Sequence, residues 1–255
     1  MTFNIAIANA KGGVAKTTTA LSLSAAVVEE GKKVLAIDLD PHANLTISLG
    51  YKPTGVSPTV ADVFLGDCQV KDAIYATEVD QLSLIPSNHT LTMAEHHLMV
   101  RERYQLILRD ALARLDGFDI IILDCPPTLG TLTQNALSAA NLLVIPAQPE
   151  YYSAHALRDM LNLILAIRQR NNPKLRYRIL LTMLDTRNRI HRSLAKQIRT
   201  AFNQAIFETE IEIDTRLRES PIFGQPILKY APHSRASQQY QALAKELRNF
   251  TNEFD

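Results

Sequence analysis

One short segment constrains this chain more than any other. Lys11-Gly-Gly-Val-Ala-Lys16-Thr17-Thr18 lies between a mostly apolar run at residues 3–8 and an amphipathic run from Thr17 to Glu30. The pattern predicts a buried strand, a glycine-rich turn and a helix. Gly12 and Gly13 let successive backbone N–H groups turn inward and form an anion-binding nest. The following helix aims its positive end at the same point. In such a loop, Gly12, Gly13, Val14 and Ala15 cradle phosphates, and Thr18 continues into the helix. Lys16 reaches the β- and γ-phosphates, and the Thr17 hydroxyl ligates Mg²⁺. The common form, G-x-x-x-x-G-K-[ST], is not kept, because both of its glycines are alanines here, Ala10 and Ala15. A glycine pair and a second lysine, Lys11, take their place.

The rest of the chain suits an α/β architecture. Strand candidates are 3–9, 33–39, 82–86, 119–124, 142–147 and 177–184. Helix candidates are 17–30, 90–115, 131–140, 153–170, 189–204 and 234–250. Near-continuous apolar strands are what a parallel sheet covered on both faces requires. The expected fold is therefore a doubly wound, mostly parallel sheet with helices on both faces, in a single domain over 1–255. Ligands of such sheets bind at the carboxyl ends of the strands. Lys11, Asp40, Asp124 and Pro146 all map there.

Two further segments complete a nucleotide constellation. The second strand ends Asp38-Leu-Asp40-Pro41-His42-Ala43-Asn44. Alternation puts Asp38 and Asp40 on one face, suited to holding Mg²⁺ through water and orienting an attacking water. The strand at 119–124 ends Asp124-Cys-Pro-Pro127, an apolar run closing on a carboxylate of the kind that holds Mg²⁺. An aspartate at a strand end is often just a turn former. Three such features in order, each after an apolar strand, favour a nucleoside triphosphate with Mg²⁺. A dinucleotide site would need G-x-G-x-x-G after the first strand, and that pattern is absent.

These motifs resemble the ParA/MinD family of deviant Walker ATPases, in its ParA (Soj-like) branch. The family's K-G-G-x-x-K-[ST] matches Lys11 to Thr17 in full. Asp38-Leu-Asp40-Pro41 and Asp124-Cys-Pro-Pro127 resemble its D-x-D-P and switch II elements. Glu150-Tyr-Tyr152, Leu181-Thr-Met-Leu-Asp185-Thr-Arg187, Arg216-Leu-Arg-Glu-Ser-Pro221 and Gly224-Gln-Pro-Ile227 resemble further segments. The resemblance implies a P-loop fold, ATP and Mg²⁺ as cofactors, and weak basal ATP hydrolysis. It implies Lys16, Asp40 and Asp38 as catalytic residues and Thr17, Asp38 and Asp124 around the metal. It also implies that Lys11 crosses to the ATP of a partner subunit in a sandwich homodimer. One departure is visible: the family commonly reads D-P-Q-G-N where this chain has Asp40-Pro-His42-Ala43-Asn44. Alanine in place of glycine is expected to stiffen this loop.

Partners are read from charge. Between Arg168 and Arg199 ten residues are basic and one, Asp185, is acidic. Such a run is the electrostatic footprint of a polyanion partner, although basic residues on a solvated helix are also common. The resemblance implies non-specific DNA binding by the ATP dimer, through Arg187 and Arg216, with Arg189, Arg192 and Arg218 on the same face. It also implies a ParB-like or other adaptor that carries cargo and stimulates hydrolysis, and a cytoplasmic, nucleoid-associated protein. A MinD-like membrane-positioning ATPase is the first alternative. The end Asn249-Phe-Thr-Asn-Glu-Phe-Asp255 is acidic, and a membrane-lying helix usually has a basic polar face, so no membrane partner is expected. A nucleotide-gated filament or regulator is the second alternative. An iron protein of the same superfamily is the third, and Cys68 and Cys125 match no ligand spacing for it.

Overall fold

The computed structural model describes residues 2–150 and 153–251. The strands are β1 (Phe3–Ile7), β2 (Val34–Asp38), β3 (Tyr75–Ala76), β4 (Leu82–Ile85), β5 (Ile120–Asp124), β6 (Leu142–Ala147), β7 (Arg176–Leu184) and β8 (Ile206–Glu212). The helices are α1 (Lys16–Glu29), α2 (Asn44–Ser48), α3 (Val60–Leu65), α4 (Thr90–Leu98), α5 (Ile107–Leu112), α6 (Thr131–Ala139), α7 (Ser153–Arg170), α8 (Arg189–Phe202), α9 (Arg216–Glu219), α10 (Ile227–Tyr230) and α11 (Arg235–Thr251).

The strands form one sheet in the order β3-β4-β2-β5-β1-β6-β7-β8. All pairings are parallel except β3 with β4 at the edge. Both faces are buried, so successive side chains of one strand enter different cores. Ile5 and Ile7 of β1 pack with Leu21 and Leu23 of α1 and with Tyr240 and Leu243 of α11. Ala6 and Ala8 face the opposite layer, with Leu91 of α4, Leu132 of α6 and Leu157 of α7. The chain leaves β1 toward β2 and β4, inserts β5 beside β1, and then steps across to β6. Loops at the carboxyl ends of these neighbours therefore leave toward opposite faces and open a crevice there.

The helix expected over 90–115 is two helices. Arg101 explains the break: its guanidinium donates to the carbonyls of Phe64 and Leu65 at 3.1 and 2.9 Å, closing the end of α3. Arg103 takes a left-handed φ of 54°. The buried Asn135 of α6 then fixes the restart, accepting from the Leu108 N–H at 3.1 Å and donating to the Tyr104 carbonyl at 2.9 Å. These bonds join residues far apart in sequence, so periodicity carried no sign of them. The edge strand β3, strand β8 and the short helices α2, α3, α9 and α10 were also absent from the sequence expectation. Among the described residues, no helix is long and apolar enough to cross a membrane. Tyr151, Tyr152 and the acidic end at 252–255 lie outside the described residues.

Candidate functional site

The glycine-rich segment forms the turn between β1 and α1, as its sequence predicts. Gly13 has φ 74° and Ala15 has φ 66°. Glycine adopts that left-handed geometry freely, whereas for alanine it costs about 1–2 kcal/mol. The surrounding contacts hold it. Asn9, just beyond β1, donates through Nδ2 to the Pro146 carbonyl at 2.7 Å and accepts the Lys11 N–H at 2.9 Å. Thr182 of β7 donates to the Val14 carbonyl at 3.1 Å. The loop is thus rooted in β6 and β7 as well as β1.

Lys16 is buried, and its ammonium donates to the Lys11 carbonyl at 3.1 Å. Burial lowers its pKa, and the carboxylate of Asp124 works most strongly against that. Its charge therefore faces the inside of the loop. Lys11 behaves differently: its ammonium forms an ion pair with Glu150, from the loop after β6.

Asp38 and Asp124 are register partners on adjacent strands, and Asp124 is also level with Ile7 of β1. Both carboxylates are fully buried. Their surroundings differ. Asp38 accepts from the Asp40 N–H at 3.1 Å, the Thr46 N–H at 2.9 Å and the Thr46 hydroxyl at 2.7 Å. The Thr46 hydroxyl in turn accepts the Ser87 N–H at 2.9 Å. Burial pushes Asp38 up to about 6 despite these bonds. Asp38 thus pins the loop at 40–46 from below, with both of its oxygens accepting protein donors.

Neither oxygen of Asp124 makes a hydrogen bond of good geometry, and the Thr17 hydroxyl is a neighbouring donor. Burial pushes it well above the usual carboxylate range, and the charge of Asp38 adds to this. The Thr17 hydroxyl and the Lys16 ammonium act in the opposite direction. A buried carboxylate without well-formed hydrogen bonds is costly unless something completes it. An Mg²⁺ with its waters fits that deficit beside Thr17. Among the described residues, no three His, Cys, Asp or Glu side chains cluster as metal ligands. The remaining oxygens around such an ion would come from phosphate and water.

The expectation that Asp38 and Asp40 extend one strand face is corrected, because β2 ends at Asp38 and Asp40 lies on the turn beyond it. Asp40 is held there. Its Oδ1 meets the His42 N–H and the His42 Nδ1, both at 2.9 Å. Ala43, where the family commonly has glycine, takes φ 56° as it starts α2. For alanine that left-handed geometry costs about 1–2 kcal/mol.

A cavity of about 240 Å³ opens beside the loop, lined by Gly13, Ala15 and Thr18 on one side and by Met183, Ile211 and Asp214 on the other. Met183 has φ 53°, and the β7–β8 register slips between Leu181 and Leu184. Met183 itself lines the cavity, so this irregularity lies at its edge. Tyr240 closes the floor, its hydroxyl 3.2 Å from that of Thr19.

The ten basic residues between Arg168 and Arg199 do not make one face. β7 has nine residues, about 30 Å of strand, and lies between two groups. At its amino end, Arg176 and Arg178 lie over the Phe250 ring, 5.6 and 4.6 Å from its centroid, and Arg168 lies over Tyr177. They hold α7 and α11 to the sheet. Arg199 is paired with Glu210 at 2.7 Å. At the carboxyl end, Arg187, Arg189 and Arg192 are exposed on the turn into α8. The neighbouring strand delivers Arg216 to the same end, since Ile213 N–H bonds the Leu184 carbonyl at 3.1 Å. Arg218 lies at the cavity beside the loop as well as on the surface.

Known proteins share this arrangement. A family model described as an AAA domain matches residues 2–177. The sporulation initiation inhibitor protein Soj of Bacillus subtilis is 40% identical over 245 residues, covering 95% of this chain and 97% of that protein. The chromosome partitioning protein ParA of Myxococcus xanthus is 39% identical over 245 residues, covering 95% and 87%. The chain belongs to the ParA/Soj family. Among solved structures, cobyrinic acid a,c-diamide synthase from Mycobacterium smegmatis, with bound ATP analog and magnesium, superposes at a TM-score of 0.88. It is 35% identical and covers 98% of this chain and 96% of its own. The MinD protein of Pyrococcus horikoshii, complexed with Mg-ADP, superposes at 0.78 with 26% identity, covering 98% and 97%.

For this ParA/Soj chain, sequence reasoning had not singled out Asn9, Thr46 or Thr182. For Asn9 the available signal was a polar residue directly after an apolar strand. Thr182 sits inside a strand, 168 residues from the loop it supports.

Proposed function

We propose that this ParA/Soj chain is an ATP-dependent molecular switch that positions or segregates cargo. The observation that carries the reading is the buried Asp124 carboxylate, without a well-formed hydrogen bond and set beside Thr17 and Lys16 at the mouth of the glycine-rich loop. Such a site is incomplete without a cation. In this reading the loop at 11–17 cradles the phosphates of ATP, and Thr17 and Asp124 hold Mg²⁺, directly or through water. When bound, Mg²⁺ supplies positive charge to the phosphate oxygens. The cavity between Met183 and Asp214 takes the base.

Lys16 neutralises charge that grows on the leaving phosphate oxygens. Asp40, held by His42 through one oxygen, leaves its other oxygen to orient the attacking water. Asp38 acts through Thr46, keeping that loop in place. Lys11 crosses to the partner's triphosphate, so ATP joins two copies. Pairing doubles the face carrying Arg187, Arg189, Arg192 and Arg216, with Arg218 at its margin. Contacts of this kind neutralise phosphates and carry no base sequence. A cargo-bound adaptor would stimulate hydrolysis and release the dimer from DNA, placing the protein on the nucleoid while ATP lasts.

The test is retention of the full chain on random-sequence DNA with ATP, ADP or no nucleotide at several salt concentrations. Retention with ATP alone, falling steeply with salt, is expected. Equal retention in all three states would overturn the reading. Binding to anionic vesicles in place of DNA would favour a MinD-like membrane role, and ATP-dependent light scattering without DNA would favour a filament.

A further inference from the structure

Lys11 and Glu150 are 139 residues apart, and the fold brings them into an ion pair. Both loops are anchored. The Lys11 N–H is held by Asn9, which is itself bonded to the Pro146 carbonyl of β6. The Glu150 N–H donates to the Gln148 carbonyl at 2.8 Å, and the Glu150 carbonyl accepts the Ser153 N–H at 3.0 Å, at the start of α7. The carboxylate is therefore presented to the lysine by a fixed frame.

We propose that Glu150 is a positioning residue for ATP-dependent pairing, a latch that keeps Lys11 in its own chain until a partner's triphosphate displaces it. The inference rests on the pairing proposed above and assigns a residue that sets its threshold. Lysine carries one charge. Its ammonium sits at Glu150 of its own chain, and reaching a triphosphate across a dimer means moving away from that carboxylate. Each pairing event must then break two latches. The side chains are 25% and 40% exposed, so each pair is modest in strength and can be exchanged. That suits a switch: a fully buried pair would hold Lys11 permanently.

The experiment is sedimentation equilibrium of the full chain with Mg²⁺ and a non-hydrolysable ATP analogue. Wild type, Glu150→Gln, Lys11→Ala and the double variant are compared. Nucleotide affinity of each is measured separately at a dilution where the chain is monomeric. Glu150→Gln should tighten the dimer by about tenfold, equivalent to about 1.4 kcal/mol over two latches, with monomer affinity unchanged. Glu150→Asp, which retains the charge, should stay within about threefold of wild type. Lys11→Ala and the double variant should be equally monomeric, because Glu150 acts through Lys11. An unchanged or weakened Glu150→Gln dimer would overturn the latch, as would partial rescue of Lys11→Ala by Glu150→Gln, which would mark simple charge repulsion. If wild type itself stays monomeric with the analogue, the pairing reading fails and the latch with it.

Discussion

Replacing Asp124 by asparagine should move stability and ligand response in opposite directions. The free carboxylate is fully buried without a well-formed hydrogen bond, and burial holds its pKa well above the unfolded value. The unfolded chain releases this proton near pH 4. Above that pH the folded state binds more protons than the unfolded state, so wild-type stability falls as pH rises toward the folded pKa. The slope approaches 1.4 kcal/mol per pH unit for one group. Asp38, pushed up to about 6 by burial, has the same sign and remains in both proteins. Between about pH 4 and the folded pKa, the stability of Asp124→Asn relative to wild type should therefore grow by up to about 1.4 kcal/mol per pH unit. For a chain of this size that is about 3–6 °C in melting temperature per pH unit. With Mg²⁺ and a non-hydrolysable ATP analogue at about 100 times Kd, wild type should gain about 2.7 kcal/mol. The variant should lose the Mg²⁺-dependent part of that gain. Thermal unfolding followed by circular dichroism at pH 5, 6, 7 and 8, with analogue plus Mg²⁺ or EDTA, measures both effects. A variant less stable than wild type with an unchanged pH slope would show that Asp124 is a structural turn residue. A full Mg²⁺-dependent gain would remove it from the metal site.

Lys16→Ala should abolish nucleotide binding, while Lys11→Ala should bind ATP with one site per chain and remain monomeric; calorimetry and sedimentation separate the two. Arg187→Ala should keep ATP-dependent pairing and bind DNA more weakly. Since each dimer loses two phosphate contacts, the slope of log affinity against log salt should shrink by about 2. Unchanged retention on random DNA would remove Arg187 from that face. Thr46→Val removes a hydroxyl bonded to the buried Asp38 at 2.7 Å and should destabilise the fold by about 2 kcal/mol at pH 7. The loss should be smaller at pH 5, where Asp38 is largely neutral. Equal losses at both pH values would mean that the hydroxyl only fills space.

The residues that announce themselves in the sequence do so through local rules. Mostly apolar runs over 3–9, 33–39, 119–124 and 142–147 forecast parallel strands, because a sheet covered on both faces needs them. Gly12 to Thr17 forecast the turn and helix start. Met183 and Ile211 to Asp214 line the cavity because β7 and β8 end beside the loop, a neighbourhood set by the sheet rather than by nearby sequence. The helix break after α4 depends on Arg101 reaching α3. The basic stretch from Arg168 to Arg199 reads as one feature in the sequence. Nine residues of β7 carry its first group to the far end of the sheet, where stacking on Phe250 and Tyr177 occupies it.

By itself the sequence determined six of the eight described strands, the glycine-rich loop and which carboxylates reach the strand ends, because each depends on neighbours a few residues away. Tertiary structure decided what those groups do. Asp38 and Asp124 look alike in sequence, each closing an apolar strand. Thr46 folds back onto Asp38 with two hydrogen bonds, whereas Asp124 has no well-formed hydrogen bond and faces Thr17 and Lys16 of the loop. Lys11 looks free in sequence, yet β6 brings Glu150 to it. The physical reason is common to both: the energy of a charge shielded from water, wholly or in part, is set by the atoms around it in space, and those come from remote parts of the chain.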